Sequence, residues 1–163
     1  MPCYQTIVPG CNRLRPSDLL RLTWNHVYDE EQRTFRSHII LTEKKTQKQR
    51  TIAINRQVVA ALRLLLPNRR GSFIFASNRK EEKAISRVQA WRIIRVAAEA
   101  VGEIERIALY SLRKTAGYHA WKAGVSPVVL MDIYNHTSYA VTRRYLGVSQ
   151  DDRDEVYLSL SLF

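Results

Sequence analysis

The sequence predicts a mainly α fold with a small antiparallel β-sheet, an α+β chain, and three observations carry that prediction. Apolar residues recur at helical spacing in several stretches. Two short β-prone runs lie on either side of a polar connection. Capping residues and helix stops fall at the borders of the apolar stretches. With 163 residues, the chain is expected to be a single domain, 1–163, large enough to bury a core without staples. Residues 149–163 are expected to form a helical tail. No internal repeat or low-complexity linker divides the chain.

Taken in order, the first expected element is a helix from Leu14 to Trp24, with Leu19, Leu20 and Leu22 on its apolar side. Asp18 falls near its start, where the helix dipole favours an acid. Asp29-Glu30-Glu31 reads as a turn. Phe35, Ser37, Ile39 and Leu41 alternate with Arg36, His38 and Ile40, which predicts a strand over Thr34–Leu41. Thr51–Ile54 is its expected partner, reached through the polar stretch Glu43–Arg50. Asn55 is placed to cap a helix carrying Val58, Val59, Leu62, Leu65 and Leu66, which Pro67 stops.

Phe73-Ile74-Phe75 reads as a short buried segment. Ser86-Arg87-Val88-Gln89 has the capping-box pattern and opens a helix with Val88, Trp91, Ile94 and Ala98 inward. A further helix is expected over Ser111–Ala123, ended by Gly124. Ser126-Pro127 opens the next, which runs to about Asn135. A last helix begins near Ser149 or Gln150, with its acids in the first turn.

Composition narrows the function classes. Hydrophobic content of 45% fits a folded chain. The two cysteines, Cys3 and Cys11, make neither a disulfide framework nor a zinc motif. No apolar run approaches the roughly 18 residues of a membrane span, and Val58–Leu66 is interrupted by Arg63. No signal peptide is visible, so a cytoplasmic protein is expected. Net charge is +11, unevenly placed: residues 1–148 hold 25 of the 26 Lys and Arg but 11 of the 15 acids. A basic body with an acidic end fits a nucleic-acid binder. The acids are scattered, and no Gly-rich phosphate loop is present, so no metal, ATP or other cofactor is implied.

Tyr145 stands in Thr142-Arg143-Arg144-Tyr145-Leu146-Gly147, nine residues after His136 and 32 after Arg113. A free phenol has a pKa of about 10 and attacks poorly at neutral pH. Guanidinium charge beside it favours the phenolate and also grips phosphodiester oxygens. Further boxes stand upstream: Leu14-Arg15-Pro16-Ser17-Asp18-Leu19-Leu20, Lys45-Thr46-Gln47-Lys48, Tyr110-Ser111-Leu112-Arg113-Lys114-Thr115 and Ile133-Tyr134-Asn135-His136. In this order and spacing the chain resembles the tyrosine recombinases, the phage integrase family, over about residues 12 to 148.

The resemblance implies the family's catalytic-domain fold and a site of Arg15, Lys45, Tyr110, Arg113, His136 and Tyr145. Arg15 and Arg113 would hold the phosphate, since a planar fork grips two oxygens. Lys45, on the strand turn, would protonate the leaving oxygen as a general acid; Lys44 and Lys48 are its close competitors. His136 would hydrogen-bond the phosphate. Tyr145 would be the nucleophile, chosen over Tyr28, Tyr118, Tyr139 and Tyr157. Tyr118, in mid-helix, is expected in the core.

Three departures stand out. Tyr110 occupies a position usually held by histidine, Arg13 replaces a glycine, and Tyr134-Asn135 replaces Leu-Gly. The implied reaction is cutting and rejoining of double-stranded DNA through a 3′-phosphotyrosyl link. The implied assembly is a homotetramer, with Val156, Tyr157, Leu160, Leu162 and Phe163 suited to docking on a neighbour or on their own domain. The family's N-terminal DNA-binding domain is expected to be absent, because only about a dozen residues precede the first box.

Other readings remain open at this point. A degenerate integrase would bind DNA without cutting it. A topoisomerase-like nickase would share the chemistry. Ala120 to Gly124 followed by Ser126-Pro127 is similar to a helix-turn-helix regulator, but the second helix carries no Lys or Arg to read base edges.

Overall fold

A computed structural model describes residues 14–78, 80–102 and 107–159 of the chain. Cys3, Cys11, Arg13, Leu160, Leu162 and Phe163 lie outside the described residues, as does the side chain of Val156. The fold is mainly helical, with small antiparallel hairpins. It divides into two compact units, one ending at Arg113 and one beginning at Lys114.

In the first unit, the helix expected over Leu14–Trp24 is two short ones, α1 (Pro16–Leu19) and α2 (Trp24–Val27). The break has a backbone cause. Thr23 bridges Phe73, Trp24 N–H donates to the Ser72 carbonyl (2.9 Å), and Ile74 N–H donates to the Leu22 carbonyl (3.0 Å). Groups committed across a β-bridge are not free for a helix ladder. Thr23 then caps α2. Its N–H donates to His26 Nδ1 (3.1 Å), so a histidine does what Glu or Gln does in the usual capping box.

The single expected sheet is three two-stranded antiparallel hairpins among the described residues. β1 (Tyr28–Asp29) pairs with β2 (Thr34–Phe35), β3 (His38–Thr42) with β4 (Gln49–Ala53), and β5 (Ala76–Ser77) with β6 (Lys80–Ala84). The strand expected over Thr34–Leu41 is therefore cut between two hairpins. At the cut, the Ser37 carbonyl accepts from Ile54 N–H at 2.8 Å. Period-two alternation holds within β3, where Ile39 and Leu41 are buried and His38, Ile40 and Thr42 are exposed.

Helix α3 (Arg56–Leu65) opens as expected, with Asn55 Oδ1 accepting from Val58 N–H at 2.8 Å. It passes into a 3-10 turn at Pro67. Helix α4 (Arg87–Glu99) opens on Ser86, and of its expected inward residues Trp91, Ile94 and Ala98 are partly buried while Val88 is not. Val88 is exposed and Ala90 is buried, with Ile93 packed against the core. Helix α5 (Leu109–Lys122) begins two residues before the expected Ser111. The core of this unit gathers Leu20, Leu22, Trp24, Val27, Ile39, Val58, Leu62 and Phe75 around the hairpins.

In the second unit, Gly124 (φ +87) closes α5. Ser126 then caps α6 (Pro127–Tyr134). Asn135 ends α6 in the left-handed region (φ 53), where asparagine is tolerated. The sequence reading missed the next helix, α7 (Tyr139–Leu146), although Ser138 and Gly147 frame it. Helix α8 (Gln150–Ser159) begins where expected. Leu130, Tyr134 and Leu146 form the core, with Trp121 and Tyr145 packed against it. Tyr118, expected inside, is exposed, and so are Tyr157 and Leu158 on α8.

Candidate active site

Four of the six expected residues belong to the first unit. Arg15 is the N-cap residue of α1, held between the buried Leu14 and Pro16. Its Nη1 donates to Glu43 Oε2 at 2.9 Å. Glu43 is itself buried, at 3% exposure. It also accepts from Thr46 Oγ1 (2.5 Å) and, through Oε1, from Arg50 Nε (3.4 Å). Burial opposes its ionisation, but the Thr46 hydroxyl and the charges of Arg15 and Arg50 outweigh burial and hold its carboxyl below the ordinary range.

Lys45 is exposed in the β3–β4 connection, between two tethered neighbours. On one side, Lys44 N–H donates to Asp18 Oδ1 on α1 (3.0 Å). On the other, Thr46 holds Glu43. Gln47 takes a left-handed conformation (φ 55), and its N–H donates to the Glu43 carbonyl at 2.9 Å. Tyr110 and Arg113 share the first turns of α5, one turn apart. Tyr110 is exposed and Arg113 is buried. Arg113 lines an apolar cavity of about 50 Å³ together with Leu109 and Leu112. Leu14 and Pro16, on either side of Arg15, line the same cavity.

The other two residues belong to the second unit, which brings them together. The rings of His136 and Tyr145 meet edge to face, with centroids 4.9 Å apart. The left-handed Asn135 turns the chain so that His136 N–H donates back to the Met131 carbonyl (3.0 Å). His136 Nδ1 is hydrogen-bonded to Thr142 Oγ1 at 3.0 Å, which fixes the ring. Thr142 is fully buried on α7, three residues before Tyr145. Tyr134 stacks on His136 (5.6 Å, 27°) and tilts against Tyr145 (5.0 Å).

The stretch that holds the boxes is also matched by a family model. The model of the phage integrase family matches residues 12–151. The chain belongs to the phage integrase family. This integrase chain is 36% identical over 156 residues to a probable integrase/recombinase, YoeC, of Bacillus subtilis (strain 168), covering 94% of this chain and 82% of the relative.

Its fold is that of a tyrosine-recombinase catalytic domain. XerA recombinase overlays with a TM-score of 0.76 at 21% identity, over 98% of the integrase chain and 56% of XerA. The Tn1549 transposon integrase, in complex with transposon right end DNA, gives 0.66 at 22%, over 99% and 58%. A lambda integrase dimer bound to a COC′ core site gives 0.66 at 17%, over 88% and 52%. The integrase chain thus spans little more than half of each of these solved chains. Among the described residues, no helix is long and apolar enough to cross a membrane, and no group of acids, His and Cys could hold a metal ion.

Three residues of the neighbourhood escaped the sequence reading of this integrase: Glu43, Thr142 and the packing role of Tyr134. Thr142 had a legible signal, since it stands one helical turn before Tyr145. Glu43 had none, because an acid in a polar hairpin connection reads as solvated.

Proposed function

We propose that this chain is the catalytic domain of a site-specific recombinase that cuts and rejoins double-stranded DNA. Tyr145 Oη gives up its proton to water, attacks the scissile phosphorus and forms a 3′-phosphotyrosyl bond. The bond to the 5′-oxygen breaks, and that oxygen takes a proton from Lys45 and leaves as a hydroxyl. A 5′-hydroxyl of the partner duplex then attacks the phosphotyrosyl bond and frees Tyr145. The energy of the broken ester is kept in the link, so rejoining needs no nucleotide. Arg15 and Arg113 hold the non-bridging oxygens, and His136 Nε2 donates to one of them. Tyr110 stands where the family usually has histidine and donates a hydrogen bond to the same phosphate. The reaction runs in a homotetramer on two DNA sites.

The observation that carries this reading is the edge-to-face packing of His136 on Tyr145, with Thr142 fixing the imidazole. The imidazole that lies against the Tyr145 ring is thus held in one orientation by a buried hydroxyl. The DNA complexes of the Tn1549 and lambda integrases support DNA as the substrate.

The test uses a pool of nicked duplexes with a randomised core, which trap the intermediate when the short strand diffuses away. The expected result is a covalent protein–DNA adduct on a denaturing gel, and its loss in Tyr145→Phe. An adduct that survives Tyr145→Phe would move the nucleophile elsewhere. No adduct from any sequence in the pool, with DNA still bound, would leave a domain that binds without cutting.

A further inference from the structure

We infer that Glu43 is a positioning residue, a buried anion that holds Arg15 and the Lys45 loop in one fixed geometry. This rests on the strand-cleavage reading above. A carboxylate at 3% exposure is costly to bury unless it is paired and fully hydrogen-bonded. Glu43 meets that condition by collecting groups from three places: the Arg15 guanidinium before α1, the Thr46 hydroxyl in the β3–β4 connection, and Arg50 on β4. The first two are the informative ones. Arg15 is the expected phosphate clamp, and Thr46 is the residue after the expected general acid.

The loop is tied a second time, on the other side of Lys45. Lys44 N–H donates to Asp18, three residues after Arg15. Lys45 is therefore the one residue of Lys44-Lys45-Thr46 with no tie to the Arg15 segment, and it is exposed. Glu43 thus does two jobs with one carboxylate. Through Oε2 it fixes Arg15 Nη1, and the same oxygen accepts from Thr46. A DNA phosphate entering beside Arg15 would meet a guanidinium already aligned and a lysine held at a set distance.

Arg15 and Lys45 act on different oxygens, so their displacement can be read separately. A 5′-bridging sulfur in place of the leaving oxygen makes a thiolate leaving group. A thiol has a pKa of about 8.5 and leaves without being protonated. Loss of the general acid is therefore repaired by sulfur, whereas loss of the phosphate clamp is not.

The experiment takes the full chain and a duplex selected by wild type from the randomised pool, made with oxygen or with sulfur at the 5′ position. Adduct formation is timed for wild type, Glu43→Ala and Thr46→Val. With oxygen, Glu43→Ala is expected to slow the adduct by about 10²-fold, the scale of a misplaced catalytic group. Sulfur should restore roughly tenfold of that and leave the Arg15 share. Thr46→Val, which keeps Glu43 and Arg15, should be slower with oxygen and close to wild type with sulfur.

Wild-type rates for both variants would overturn the inference. So would an equal loss with oxygen and sulfur in Glu43→Ala, joined to wild-type behaviour of Thr46→Val, since that describes a purely structural carboxylate. If Glu43→Ala does not fold, Thr46→Val decides alone: recovery with sulfur supports the inference, and unaltered cleavage overturns it. If wild type itself yields no adduct, the strand-cleavage reading falls and takes this one with it.

Discussion

Thr142 shows how one side chain can matter without touching a substrate. It is fully buried, and its hydroxyl meets His136 Nδ1 at 3.0 Å. Valine has nearly the same shape but no hydroxyl. Thr142→Val is expected to cost about 1 kcal/mol, the net worth of a typical buried hydrogen bond, as read by urea unfolding. It should also slow adduct formation more than that stability loss explains, because the imidazole loses the contact that sets its orientation. A variant that unfolds earlier but cleaves at the wild-type rate would make Thr142 a packing residue only. The exposed Tyr110 and the buried Arg113 show the other side of residue-level reading. Their spacing put both on one helix, but only the fold separated an exposed tyrosine from a buried arginine.

At the scale of elements, the close approach of α5 to α6 and α7 rests on Gly117. A Cβ there would lie 2.9 Å from Tyr134 Oη and 3.3 Å from Leu146 Cδ2. Gly117→Ala is therefore expected to destabilise the second unit by about 1–3 kcal/mol, the usual range for overpacking. Because Tyr134 stacks on His136 and Tyr145, the near-ultraviolet tyrosine signal should change as well. An unchanged melt and spectrum would show that the Tyr134 ring moves freely.

Helix α8 is fixed differently. Ser149 and Asp152 cap it reciprocally, and Lys122 Nζ on α5 lies 2.6 Å from Asp152 Oδ1. The Lys122 bond, then the Ser149 amide and hydroxyl, lower the Asp152 pKa from 3.8 to about 2. A depressed carboxylate pKa adds stability above the unfolded value and loses it as pH falls through the folded value. Thermal melts of wild type and Asp152→Asn should therefore differ above pH 3.8 and converge towards pH 2. A gap that stays constant over that window would mean the carboxylate charge is not what fixes the helix.

At the scale of the whole molecule, the net charge of +11 dominates. All of the excess lies before residue 149, and the tail is acidic. Binding to duplex DNA should weaken steeply with salt. Six to ten phosphate contacts imply roughly a 10³–10⁵ loss between 50 and 200 mM. Fluorescence anisotropy over a salt series measures the slope, and a flat response would remove the electrostatic account of DNA binding.

The sequence by itself determined the family, the order of the boxes and most helix borders. Asn55, Ser86, Ser126 and Gly124 act within one helical turn, so their chemistry is written locally. Local signals did not decide where backbone groups are claimed by distant partners. The bridge from Thr23 to Phe73 splits the first helix, and the split between β2 and β3 divides an alternating run between two hairpins. On α4, Trp91, Ile94 and Ala98 turn inward as expected, but the exposure of Val88 and the burial of Ala90 depended on neighbouring elements. The six expected site residues were legible as residue types at known spacings. The groups that hold them were not, because Glu43 and Thr142 are recognisable only once the fold has buried them against Arg15 and His136. Burial turns an ordinary acid and an ordinary hydroxyl into fixed hydrogen-bonding groups, and burial is a property of the tertiary structure.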